Sequence, residues 1–143
     1  MAYTVLLVDD DLNLLPSMVT LLEELSDFRI ITARNGLEGL ERAVQDRPDC
    51  VVIDVRMPEL NGYQLVQALR GDPETAQIPL IILSAMVQER DLWVGLAVGV
   101  DRYLAKPTDG IELIATITEV VHQGEQERLA QLQAMAERDL PGS

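Results

Sequence analysis

The stretch CVVIDVRMPELNGY, residues 50 to 63, decides how the chain is read. Three β-branched residues, Val51, Val52 and Ile53, run without alternation into a carboxylate, Asp54. Arg56, a Met57-Pro58 pair and an Asn61-Gly62 pair follow. A short apolar run closed by turn residues fits a buried strand. Asp54 therefore stands where a buried strand gives way to a loop.

The same grammar repeats on both sides. Val5 to Val8, Phe28 to Ala33, Leu80 to Leu83 and Arg102 to Ala105 read as further strands. Leu12 to Leu25 has helical spacing, with Pro16 near its first turn, where proline is tolerated. Leu37, Leu40 and Val44 space as a helix that closes before Pro48, and Leu65, Val66 and Leu69 as one that ends near Gly71-Asp72-Pro73. Val87 to Ala97 is helical in pattern, weakened by Gly95. Ile114, Ile117 and Val121 mark a last helix from Ile111. Five strands alternating with five helices predict an α/β fold, a parallel sheet covered on both faces. In such sheets the chemistry sits at the carboxyl ends of the strands.

The chain has 143 residues and 48% hydrophobic composition, enough for one domain with a real core. We place that domain at 1–123, with 124–143 as an acidic, helical or tail-like extension. With a formal charge of −13 the chain is a poor nucleic-acid binder, since it cannot release counterions from phosphates, and no direct nucleic-acid binding is expected. No apolar run approaches the ~20 residues that span a bilayer. The N-terminus carries no basic region, so it reads as a strand rather than a signal peptide. A cytoplasmic protein is expected. Cys50, the single cysteine, opens an apolar run and fits a small buried hydrophobe.

Several predicted strands end in reactive side chains: Asp9-Asp10-Asp11, Asp54, Ser84 and Lys106-Pro107. Each alone has an ordinary structural explanation. Asp11 suits a helix N-cap before Leu12, Asp54 a turn, and Lys106-Pro107 a loop. Each at the end of a separate strand, they describe one crevice holding carboxylates, a hydroxyl and an ammonium. Clustered carboxylates repel unless they protonate or hold a cation. Mg²⁺ suits them, since it takes one or two carboxylates together with water and phosphate oxygens. A lysine able to pair with a phosphoryl oxygen completes a phosphoryl-transfer site.

In these motifs the chain resembles the receiver domain of response regulators, the phosphoacceptor half of two-component signalling. The resemblance runs from residue 3 to about 122. VLLVDDD (5–11), VIDVRMPELNGY (52–63), PLIILSA (79–85) and AVGVDRYLAKP (97–107) carry it, with 30 residues from Asp54 to Ser84 and 22 more to Lys106. It implies a flavodoxin-like, doubly wound five-stranded sheet in the order 2-1-3-4-5. It implies Asp54 as the phosphoacceptor, and Asp9, Asp10, Asp54 and the backbone carbonyl of Arg56 around Mg²⁺. Lys106 pairs with the phosphoryl group, and Ser84 and Tyr103 form the switch. Pro58, Gly62 and Pro107 shape the loops. Arg56 and Met86, each two residues beyond a site residue, are expected to tune the lifetime of the acyl phosphate. The implied donor is a histidine kinase or phosphotransfer protein, and the chain is expected to be a monomer or weak dimer.

The sequence also departs from the family pattern. Asp101-Arg102 stands where two acids are common, Thr108 where an aromatic is common, and GIELIATITEVVHQ (110–123) carries no Lys or Arg. The paired docking of the DNA-binding subgroup is therefore not expected. With no second domain in the sequence, output is expected through docking on an unidentified protein, the alternatives being onward phosphate relay or an unphosphorylated adaptor. A Mg²⁺-dependent phosphatase on a similar sheet would need a second acid two residues after its nucleophile, where Arg56 stands.

Overall fold

The computed structural model describes residues 2–54, 62–84, 99–105 and 109–138. The elements are β1 (Thr4–Val8), α1 (Leu15–Leu25), β2 (Arg29–Ala33), α2 (Gly36–Asp46), β3 (Cys50–Asp54), α3 (Gly62–Gly71), β4 (Leu80–Ser84), β5 (Arg102–Ala105) and α4 (Gly110–Arg138). The five strands form one parallel sheet in the order β2-β1-β3-β4-β5. This is the flavodoxin-like order that the resemblance implies. Four helices lie among the described residues; the helix expected over Val87–Ala97, with Trp93, lies outside them.

Strand side chains alternate between faces, and the two cores follow that parity. Val5, Leu7, Val52, Ile81 and Leu83 join Leu22 of α1 and Leu113, Ile117 and Val121 of α4. Leu6, Val8, Val51, Ile53, Leu80 and Ile82 join Ala43 of α2 and Leu65, Val66 and Leu69 of α3. β3 is buried along its whole length, as its unbroken apolar run requires. The edge strands β2 and β5 are more open. Cys50 is a buried free thiol whose pKa is pushed up by desolvation, with Asp101 and Asp49 adding to the rise.

Local chemistry sets the helix ends. Asn35 caps α2 by accepting the Glu38 N–H at 2.8 Å. Arg47, in the left-handed region at φ 45°, closes it. The first helix starts at Leu15, about a turn after the expected Leu12. Asp11 Oδ1 accepts the N–H groups of Asn13 and Leu14, so residues 12–14 form a capped turn before the helix proper. Pro16 sits in the first turn of α1, as its missing N–H allows. The last helix runs without a break through Gly124 to Arg138.

Opposite the carboxyl ends of the strands, Arg70 at the end of α3 clasps the chain. Its guanidinium donates to the carbonyls of Gly99 (3.0 Å), Ala76 (2.8 Å) and Ile78 (2.7 Å), and to Asp101 Oδ2 (2.9 Å). The same Asp101 oxygen accepts the Leu80 N–H at 2.8 Å. One side chain thus fixes the start of β4 and the approach to β5. Five donors in a rigid fork make Arg, and not Lys, suited to the task.

Arg70→Ala should lower unfolding free energy by about 2–3 kcal/mol, because it strands several partly buried acceptors. Urea unfolding with an unchanged m-value checks this; a loss under 0.5 kcal/mol would refute the clasp. Cys50 should react with a thiol reagent only through unfolding. Its raised pKa also sets a sign: stability is full below the unfolded thiol's pKa of about 8.5 and falls as pH rises past it. Cys50→Ala should flatten that alkaline decline.

Candidate phosphoryl-transfer and metal site

The register of the sheet builds the site. Val8 pairs with Ile53, so the next residues out, Asp9 and Asp54, emerge side by side. The Asp9 N–H donates to Ala33 O at 3.0 Å, which carries the β1–β2 ladder one residue past the strand. Asp9 is therefore held by the sheet although it lies beyond β1. Its Oδ1 accepts the Asp11 N–H at 2.9 Å, which orients the carboxylate.

Asp9, Asp10 and Asp54 each offer a carboxylate oxygen, and these oxygens lie within 4.8 Å of one another. Asp9 and Asp54 are each only 6% exposed. Asp10 is more open. Asp11 does not join them; its carboxylate caps the following turn. At an effective dielectric of about 20, two carboxylates at 4.8 Å repel by about 3 kcal/mol. Hard, all-oxygen donors in this arrangement fit a divalent cation such as Mg²⁺, whose charge offsets that repulsion.

The neighbouring strand ends align with the acids. Asp54 pairs with Leu83, and Ser84 pairs with Ala105, so the carboxyl ends of β3, β4 and β5 form one rim. Tyr103 pairs with Ile82 and is half-buried against the core that contains Ile82. Gly62 is the first described residue of α3 and is buried. Arg56, Pro58, Met86, Lys106 and Pro107 lie outside the described residues. Reading by residue type missed the Asp11 backbone as the group that orients Asp9. The acid triplet was its only trace in the sequence.

The sheet order, the acid cluster and the row of strand ends define a receiver fold, and the sequence family named response regulator receiver domain matches residues 5–118. The chain belongs to that family and is a receiver domain of two-component signalling. It is 38% identical over 117 residues to protein PilH of Pseudomonas aeruginosa, covering 82% of this chain and 96% of PilH. It is 42% identical over 113 residues to the transcriptional regulatory protein PrrA of Mycobacterium tuberculosis, covering 79% of this chain and 47% of PrrA. It thus spans about half the length of that regulator. Among solved structures, it superimposes on the receiver domain of a sensor histidine kinase from Pseudomonas aeruginosa PAO1, described with a magnesium ion coordinated in its active-site cleft. The TM-score is 0.78 at 26% identity, over 85% of this chain and 99% of that one. The chemotaxis protein CheY4 of Vibrio cholerae matches with the same TM-score, 0.78, at 28% identity, over 84% of this chain and 99% of that one.

If the three acids share a cation, then without divalent ions Asp54→Asn should melt higher than the parent, since it removes a repelling charge. Millimolar Mg²⁺ should raise the parent's Tm and narrow that difference. In calorimetry, Asp10→Ala should bind Mg²⁺ at least about tenfold more weakly, a loss of ~1.4 kcal/mol. Equal affinities would remove Asp10 from the ligand set.

Proposed function

We propose that this chain is a phosphorylation-dependent signalling switch with Asp54 as acceptor. The observation that carries the reading is the cluster of Asp9, Asp10 and Asp54 oxygens within 4.8 Å at the ends of adjacent strands. Burial of Asp9 and Asp54 suits a nucleophile that reacts away from bulk water. Asp9, Asp10, Asp54 and the Arg56 carbonyl would hold Mg²⁺, Asp10 directly and Asp9 mainly through water. The ion would supply positive charge at the phosphoryl oxygens.

In this reading an Asp54 oxygen attacks the phosphorus of a phosphohistidine in line. The new bond is P–O and the broken one is P–N. The imidazole of the donor leaves with the electron pair and takes up a proton. Lys106 pairs with the transferred group. Water later cleaves the acyl phosphate, so the chain acts on its own phosphorylation state and is not an enzyme for a separate substrate. Arg56 and Met86, each two residues beyond a site residue in sequence, are expected to tune how fast that water reacts. Leu12 and Leu14 follow directly on the acids and are 57% and 55% exposed, which gives a donor protein apolar surface at the mouth of the site. The donor is a histidine kinase or phosphotransfer protein.

The phosphoryl group then draws the Ser84 hydroxyl inward and lets Tyr103 turn. A coupling of ~1–3 kcal/mol makes this a population shift. Output follows by docking at β5 around Tyr103 and the start of α4, with residues 87–97, which lie outside the described residues, expected to take part. There Ile111 is 73% exposed, an apolar side chain available to a partner. Among the described residues no helix is long and apolar enough to cross a membrane. We place the protein in the cytoplasm, where such kinases present their phosphohistidine.

Incubation with a small phosphodonor and Mg²⁺ tests the acceptor. The parent should gain one phosphoryl group, removable by hydroxylamine as an acyl phosphate is, seen as a mass shift. Asp54→Asn should gain none while keeping its fold. Equal labelling of the variant would overturn the assignment. Lys106→Ala should still accept phosphate but lose the phosphorylation-dependent change in fluorescence or spectrum.

A further inference from the structure

Strand β5 lies at the edge of the sheet and pairs with β4 alone. None of its residues, Arg102–Ala105, is buried, whereas β3 is buried along its whole length. Tyr103 and Leu104 pack only in part, against opposite cores. Burial fixes a strand's register firmly where it selects one face, and weakly where it does not. The apolar pattern therefore holds β5 in place less firmly than it holds β3. Asp101 supplies what burial does not. Its N–H donates to Leu80 O at 2.9 Å. In a parallel ladder the Leu80 N–H would then donate to the carbonyl two residues earlier, that of Gly99. Gly99, at φ 91°, accepts from Arg70 Nε at 3.0 Å instead. Asp101 Oδ2 takes the vacated place and accepts the Leu80 N–H at 2.8 Å, while Arg70 donates to the same oxygen at 2.9 Å. Both backbone groups of Leu80 are thus satisfied by one residue.

We propose that Asp101, clasped by Arg70, is a positioning residue for the switch: it sets the register of β5 and so holds Tyr103 and Ala105 level with Ile82 and Ser84. With Asp101 fixed on Leu80, the ladder runs on as Arg102 opposite Ile81, Tyr103 opposite Ile82 and Ala105 opposite Ser84. Lys106 follows Ala105 directly in sequence. A slip of one residue would turn Tyr103 to the other face of the sheet. A slip of two would keep the faces but carry Tyr103 and Ala105 about 6.6 Å along the strand, away from Ser84. Only one register lets Asp101 serve both Leu80 groups and Arg70 at once. Arg102 adds a second tie, donating to Asp101 O at 2.8 Å and to Glu119 of α4 at 2.7 Å. Asp101 acts through β5, from the end of the strand opposite the acids. The inference rests on the reading of Ser84 and Tyr103 as the switch, and the register it claims can be measured without any phosphoryl chemistry.

Amide hydrogen exchange, followed by NMR on the unphosphorylated chain, tests the register. Asp101→Ala should speed exchange of the Tyr103 amide at least about tenfold, while Val52 and Ile53 of β3 stay within about twofold of the parent. Asp101→Asn keeps an oxygen for the Leu80 N–H and should exchange like the parent. Unchanged Tyr103 exchange in Asp101→Ala, or an equal rise in β3 from general loss of stability, overturns the register role. The second arm adds a small phosphodonor and Mg²⁺. Asp101→Ala should still be labelled at Asp54 and bind Mg²⁺ within about twofold of the parent, because the clustered carboxylates stand at the ends of β1 and β3. The phosphorylation-dependent shift of the Tyr103 amide signal should fall to less than half the parent's, and Asp101→Asn should restore it. A full Tyr103 shift in Asp101→Ala overturns the positioning role. A parent that takes no label overturns the acceptor reading and the switch half of this inference with it, while exchange still decides the register.

Discussion

The pairing of β1 with β3 holds two carboxylates in a position they would not choose. Val8 opposite Ile53 brings Asp9 and Asp54 out of the sheet together, and burial denies them the water that would screen their repulsion. Slipping the register by one residue would relieve the charges but turn every side chain of β3 to the wrong face. Both faces of β3 are buried, so that slip is far costlier than the repulsion. The apolar core thus imposes an electrostatic problem at one edge of the sheet, and a divalent cation is one chemical solution to it. The site exists because packing outweighs charge.

The two ends of the sheet do different work. At the carboxyl ends, like charges are gathered. At the opposite end, the polar groups are closely satisfied. Thr4 and Asp49 exchange two hydrogen bonds, Thr75 Oγ1 donates to Leu69 O at 2.6 Å, and Arg70 binds four acceptors. Asp101 belongs to the anchored end. In sequence it is a departure from a paired-acid pattern; in the fold it ties Leu80 to Arg70. Arg102, the other half of that departure, pairs with Glu119 of α4 at 2.7 Å, so β5 and α4 are linked within the chain.

Much of this was legible in the residues themselves. The unbroken run Val51–Ile53 announces a strand buried on both faces, and periodicity places the helices that cover it. The acids at 9, 10 and 54 announce themselves by type and position after apolar runs. Local chemistry is legible too where a single side chain decides it, as with Asn35 capping α2. The start of α1 was misplaced because helical spacing extends back to Leu12. The backbone there is instead drawn into a turn by the Asp11 carboxylate and carbonyl, a competition that periodicity does not register.

What tertiary structure alone decided is who meets whom. The residues themselves put Asp9 and Asp54, 45 positions apart, in one crevice and Asp11 at a cap, but do not say how closely the acids approach, with carboxylate oxygens within 4.8 Å of one another. That follows from parallel register, a property of two strands together. The same holds for Arg70, an unremarked residue at the end of a helix until four acceptors from distant segments converge on it. It holds also for Leu129 and Leu132, whose spacing reads equally as core or surface. Sequence fixes a side chain's chemistry and its period; its surroundings are set by the rest of the chain folding around it, and for these leucines the body of the domain ends before it reaches them.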